Sequence, residues 1–480
     1  MLSMKHETIA LQHWRASAKG AKRLNTPKLR VPNEEPIVPA PHAIATEMIG
    51  SSDRWRRRHL LSEMFDAAIK SALPEHCVPC NLPKPPKGRT VVVGAGKAAA
   101  AMAKAVEDHW PTSVSGVVVT RYGHAAACRS VEVIEAAHPI PDEAGVRAGS
   151  RIIKTVSDAA EDDLVICLIS GGGSALLTAP PPGVTLDDER TLVEALLRSG
   201  ATIREMNCVR KHVSMIKGGR LAALSAAPIV TLAISDVPGD DPATIASGPT
   251  IADPTTREEA IAILHRRGVE IPTPIQAWLD DPRSETPKPD QLGLGDFRLI
   301  ATPQLMLEAA AAVADAAGYT PLILGDALEG EARDVGTAHA DIVHQILADG
   351  LPVQPPCAVL SGGETTVTLH NGSGRGGRNA EFLLSLLIGL NAAHGVSAIA
   401  ADTDGIDGTE NNAGAFIDDH SLERADARGL IARDWLRRHD AYGFFQALGD
   451  LVHTGPTLTN VNDFRAVIID GPTKCQEHSL

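Results

Sequence analysis

Four apolar, strand-like runs in this chain end in glycine-rich loops that also carry a charged or hydroxyl side chain. Thr90–Val93 runs into Gly94-Ala95-Gly96-Lys97, and Leu164–Ile169 into Ser170-Gly171-Gly172-Gly173-Ser174. Ala358–Leu360 runs into Ser361-Gly362-Gly363-Glu364, and Ala398–Ala401 into Asp402-Thr403-Asp404-Gly405-Ile406-Asp407-Gly408. A glycine turn between a strand and a helix leaves backbone N–H groups directed outward beside the positive end of the helix dipole, which suits an anion. Four such turns with Lys, Glu and Asp among them point to a cleft for a polyanion and a metal, the needs of phosphoryl transfer.

Gly94, Gly96 and Ala99 fit the G-x-G-x-x-A dinucleotide fingerprint, so an NAD(P) oxidoreductase is the rival reading. That fingerprint also asks for an acid at the end of the next strand to bind ribose, and here the strand Gly116–Thr120 ends in Arg121. Arg121 argues against NAD and is compatible with NADP. Lys97 inside the turn suits a kinase, because an ammonium there neutralises a departing phosphoryl group. The plain alternative is that Gly94 and Gly96 only permit tight packing. No P-loop and no protein-kinase motif is present, so a nucleotide site must be of another type.

Ser170 to Ser174 form a nest of amides and hydroxyls for phosphate or carboxylate. Asn207, Arg210, Lys211 and Ser214 share one face of a helix expected over Ala201–Leu224, which either grips an anion or is simply solvated. Asp236 follows the strand Pro228–Ile234, where a carboxylate can ligate Mg²⁺ or act as base. Glu364 and Gly362 sit in the third loop. Arg375 and Arg378, flanked by glycines at a helix N-terminus, are candidates for bidentate phosphate binding. Asp404 and Asp407 are candidate Mg²⁺ ligands; the closing acid of an EF-hand is missing, since position 12 counted from Asp402 is Ala413.

The elements that must position these loops alternate strand and helix over residues 90–234, which implies a largely parallel sheet covered on both faces. Arg54–Leu73 reads as an amphipathic helix with Leu60, Leu61, Met64, Phe65, Ala68 and Ile69 on one face. Composition divides the chain into a basic tail (1–52), an N-terminal Rossmann-like unit (53–297), a connecting segment (298–350) and a second, smaller α/β unit (351–470). With 480 residues and 44% hydrophobic content there is material for at least two cores. A formal net charge of −14 argues against nucleic acid or an anionic membrane as partner. No stretch is long and apolar enough to span a bilayer. Seven scattered cysteines read as reduced thiols of a cytoplasmic protein.

Together the loops resemble those of the class II glycerate kinases. The resemblance rests on V-V-V-G-A-G-K-A-A-A-A-M-A (91–103), S-G-G-G-S-A-L-L (170–177), N-C-V-R-K-H-V-S-M-I-K-G-G-R-L-A (207–222) and S-D-V-P-G-D-D-P-A-T-I-A-S-G-P-T (235–250). It continues through S-G-G-E-T-T-V (361–367), G-R-G-G-R-N-A-E-F (374–382) and D-T-D-G-I-D-G-T (402–409), so it covers about residues 55–468. It implies ATP-dependent phosphorylation of D-glycerate, usually at the 2-hydroxyl. It also implies a larger Rossmann-like domain, a smaller MOFRL-type C-terminal domain and an active site in the cleft between them; it admits a homodimer. Relatives have also been labelled hydroxypyruvate reductases, which restates the NADP alternative.

Overall fold

The computed structural model describes residues 50–293, 295–369 and 374–471; up to residue 49 the basic tail lies outside them. Strands β1 (Thr90–Ala95), β2 (Val114–Arg121), β3 (Val131–Ala136), β4 (Leu164–Ile169), β5 (Ile229–Ile234) and β6 (Asp296–Ala301) form the first sheet. Their order is β3-β2-β1-β4-β5-β6 and every pairing is parallel. All six positions of β1 and of β4 are buried, as expected of strands covered on both faces. Strand order reverses between β1 and β4, so the two loops at their carboxyl ends flank the switch point where open α/β sheets bind ligands.

The second sheet is mixed. β7 (Thr320–Gly325), β9 (Cys357–Ser361), β11 (Val396–Asp402), β12 (Gly414–Asp418), β13 (Leu451–Val452) and β14 (Asp463–Ile469) stand in the order β13-β12-β11-β14-β9-β7. Only β7 and β9 pair in parallel. β8 (Gly330–Glu331) and β10 (Thr365–Thr366) make a separate short parallel pair. The leucine-rich helix Arg378–Leu390 packs against this sheet and against the helix Ala332–Asp349.

One helix joins the two sheets. The apolar face of Gly50–Ala72 is buried in a core shared with Val92 and Leu168 of the first sheet and with Leu360, Ile399 and Phe464 of the second. Each buried Leu, Met or Phe contributes roughly 1.5–3 kcal/mol, so this face couples the units. The same helix is tied by charge to the second unit: Arg54 pairs with Asp418 at 2.7 Å, Arg57 with Asp470 at 2.7 Å and Arg58 with Asp450 at 2.8 Å. The helix Pro303–Ala316 packs along it.

The helix expected over 201–224 is interrupted. Ile203–His212 starts from a capping box of Thr202 with Glu205, and only the short turn Arg220–Ala223 is helical again. Between them Ser214 Oγ accepts the Ile216 and Lys217 amides at 3.3 Å. Gly218 and Gly219 then take left-handed φ of 60° and 81°. A hydroxyl that competes for backbone donors and two left-handed glycines stop the helix, so Ser214 leaves the face it was expected to share with Asn207.

Candidate active site

The loops after β1 and β4 are docked on one another. The Gly96 amide donates to Val119 O (3.1 Å), Lys97 to Gly171 O (2.8 Å) and Ala99 to Gly96 O (3.1 Å), while Ala98 donates to Ser170 Oγ (3.0 Å). A Cβ on Gly94 would collide with Leu168 O, and one on Gly96 with Ser170 Oγ. Gly94 and Gly96, expected to cradle phosphate, thus let two loops close on each other, and no amide from Gly96 to Ala99 is left for a ligand.

The β4 loop is different. Among the described residues the Gly171 and Gly172 amides have no hydrogen-bond acceptor. Each glycine of the triplet admits a neighbour: the Asp236 carboxylate lies against Gly171, a Cβ on Gly172 (φ 77°) would stand 2.9 Å from His138 Nε2, and one on Gly173 2.8 Å from the Ala246 Cβ. Ser174 Oγ lies 2.6 Å from Ser247 Oγ, which donates to Asn207 Oδ1 at 3.3 Å. Ala246 and Ser247 hold φ of 50° and 59°; left-handed non-glycine residues cost about 1–3 kcal/mol each and gather at functional sites.

Lys97 reaches from the first unit to the second. Its Nζ donates to Asp404 Oδ2 at 3.0 Å, and both side chains are largely buried. Burial works against the ammonium, but the charges of Asp404, Asp402 and Asp236 outweigh it and hold the Lys97 pKa above its ordinary value. Burial likewise opposes the Asp404 carboxylate, and Lys97 reverses the balance, keeping it below the usual range. Asp236 has no such partner. Burial pushes its pKa up to about 6, with Lys97 opposing and Glu364 adding to the rise. Its Oδ2 meets Asn460 Nδ2 only at 3.5 Å, while Asn462 Nδ2 holds its backbone carbonyl at 2.8 Å.

Arg378 organises the acidic wall. Nε donates to Asp463 (2.8 Å), and the two terminal nitrogens to Glu364 (2.7 Å) and Asp402 (2.9 Å). This guanidinium, expected to grip phosphate, is engaged by three carboxylates. Arg375 makes none of these contacts; it lies 4.6 Å over the Tyr442 ring and donates to Gln446 at 3.0 Å. Asp407 is placed as a cap: its oxygens accept the Asn379 and Ala380 amides at 3.0 and 2.9 Å, and burial lifts its pKa to about 6. Lys211 faces Asp253 at 3.4 Å in the interior. Gly362 accepts Arg465 through its carbonyl at 3.1 Å.

Four contributors escaped the sequence reading. His138, packed on Gly172, is kept neutral with a pKa pushed down to about 3, first by burial and then by Lys97, Arg121 and His124. Ser247 bridges Ser174 and Asn207. Asp463 and Arg465 are buried at the start of β14, where Arg465 donates to Asp463 at 2.7 Å. A signal was present: Asn460 and Asn462 just before β14, and Asp463 and Arg465 at its start, crowd polar groups against an otherwise apolar strand.

A Rossmann-ordered sheet whose switch-point lysine is held by a carboxylate of a second, mixed sheet defines a two-unit α/β enzyme with its polar site between the units. Residues 60–280 match a family described as a domain of unknown function (DUF4147), and residues 357–463 match the MOFRL family. A protein of Agrobacterium vitis, provisionally named hydroxypyruvate reductase, is 55% identical over 86% of this chain and 94% of its own length. The D-glycerate 2-kinase of Thermotoga maritima is 38% identical over 85% of this chain and 97% of its own. The glycerate 2-kinase of Pyrococcus horikoshii is 40% identical over 80% and 88%. The crystal structure of a Thermotoga maritima glycerate kinase superposes with a TM-score of 0.81 at 36% identity, covering 86% of this chain and all of that one. The chain belongs to the MOFRL-containing glycerate 2-kinase family.

Proposed function

We propose that this protein transfers the γ-phosphoryl group of ATP to the 2-hydroxyl of D-glycerate, giving 2-phosphoglycerate and ADP. The observation that carries the reading is the placement of Lys97 at the switch point, between Asp236 of the first unit and Asp404 of the second. Phosphoryl transfer needs little covalent help from a protein; it needs charge neutralisation and alignment. Lys97 supplies the positive charge beside the free amides of Gly171 and Gly172, and Asp404 aims it. Asp236, with a pKa near 6, is charged at neutral pH and accepts the proton of the attacking hydroxyl. Arg378 acts as a positioning residue that fixes Asp402, Asp463 and Glu364.

Magnesium is the metal such a reaction calls for, since it commonly travels on nucleotide phosphates with one or two protein carboxylates. The residues do not fit a metal held by the protein alone. Among those described, no group of three His, Cys, Asp or Glu is arranged to hold an ion, Asp407 caps a helix, and Asp404 faces Lys97 and the Ile406 amide. Six described cysteines are free thiols, which supports a reducing compartment such as the cytoplasm; no described helix is long and apolar enough to cross a membrane.

The name of the Agrobacterium vitis relative raises NADP-dependent reduction of hydroxypyruvate. A pyrophosphate in a dinucleotide site rests on amides of the first βα turn, and here those amides are occupied by the β2 and β4 segments. The two readings separate in one experiment with two arms. ADP release from ATP that depends on D-glycerate is the expected result; NADPH oxidation that depends on hydroxypyruvate, without ADP release, would reverse the assignment.

A further inference from the structure

Lys217 is one of the largest fully buried side chains of the protein, 2% exposed. Among the described residues its ammonium makes no hydrogen bond, and the one carboxylate in ion-pair range, Glu189 Oε1, stands off at 3.9 Å. The other oxygen of Glu189 is buried without a partner. Burial lowers the Lys217 pKa; Glu189 resists that only in part, and the nearby Arg210 adds to it. A cation taken out of water without a close partner is costly, and groups perturbed by burial in this way cluster at functional sites.

The chain folds this lysine beside the phosphoryl site. The amide of Gly218 donates to the carbonyl of Ser247 at 3.0 Å, and the Ser247 hydroxyl bridges Ser174 and Asn207. The helix that carries Glu189 is tied to the His138 segment by Arg190 Nε on Pro141 O at 3.0 Å, and His138 packs on Gly172. The segments that carry Lys217 and Glu189 are thus each tied to neighbours of the β4 loop. Lys211, on the same segment, faces Asp253 instead.

We infer that Lys217 is the residue that binds the carboxylate of the acceptor, making the site specific for short 2-hydroxy acids over uncharged polyols and amides. The inference rests on the kinase reading for the identity of the acceptor. It is tested by comparing D-glycerate with its amide in the wild-type protein, Lys217→Met, Lys217→Gln and Lys217→Arg. Wild type should prefer the acid by about 10⁴-fold in kcat/KM, the scale on which a buried polar site rejects a ligand lacking its partner. In Lys217→Met and Lys217→Gln that preference should collapse toward 1, with the KM for ATP unchanged and the melting temperature equal or higher. Lys217→Arg should keep most of the preference.

A folded Met or Gln variant that still prefers the acid overturns the inference, and so does failure of all three variants to fold, which would make the lysine structural. Failure of the kinase reading shows separately, as wild-type protein that releases no ADP with D-glycerate. In that event the melting temperature measured without nucleotide still decides: D-glycerate should raise it in wild type and not in Lys217→Met, and an equal rise in both contradicts the role.

Discussion

The loops after β1 and β4 lie side by side at the same end of the same sheet, and both are rich in glycine. They do opposite things. In Gly94–Lys97 the glycines remove side chains so that two backbones can touch, and the amides that follow are bonded to protein. In Ser170–Ser174 the glycines make room for Asp236, His138 and Ala246, and two amides stay open. The first loop contributes a side chain, Lys97, and the second contributes a surface. A strand followed by glycines therefore means either close packing or anion binding, and the two are told apart by asking where each N–H goes.

That contrast breaks first if Lys97 is not chemical. Lys97→Ala should lower kcat by about 10³, as loss of a preorganised charge does. Its melting temperature should fall by less than about 5 °C, roughly 2 °C being expected per kcal/mol at this size. An unchanged kcat beside a large thermal loss would make Lys97 part of the packing. Asp236→Asn comes next, with kcat expected to drop about 10²–10⁴-fold. The pH profile sharpens the same point. Asp236 must be charged to accept a proton and its pKa is about 6, so kcat/KM should fall as pH drops through 6, and Asp236→Asn should lose that acid limb. The smallest effects compare the loops directly. Gly96→Ala should cost stability, about 1–3 kcal/mol from overpacking against Ser170. Gly172→Ala should lower kcat more than tenfold, because its Cβ meets His138 beside the open amides; equal profiles in the two variants would erase the distinction.

The sheets themselves were legible. Continuous apolar runs such as Leu164–Ile169 coincide with strands because a doubly covered parallel sheet leaves no polar face, and amphipathic spacing located the helix that joins the units. The helix over 201–224 was overextended because its apolar period continues past a point where Ser214, Gly218 and Gly219 turn the backbone. At the site, Lys97, Asp236 and Asp404 could be picked out from loop position. Arg378 was noticed for the wrong partner, since the three carboxylates it holds come from Glu364, Asp402 and Asp463, up to 85 residues away in sequence. Asp463, Arg465 and His138 were not singled out, because only the closed fold brings Asp463 to Arg378 and His138 to Gly172.

The central claim is tested most directly by incubating the protein with MgATP and D-glycerate and coupling the product to enolase, with and without phosphoglycerate mutase. The account predicts a full signal without mutase, the mark of 2-phosphoglycerate. A signal that needs mutase would place the phosphate on the 3-hydroxyl, and silence in both arms would contradict the kinase assignment.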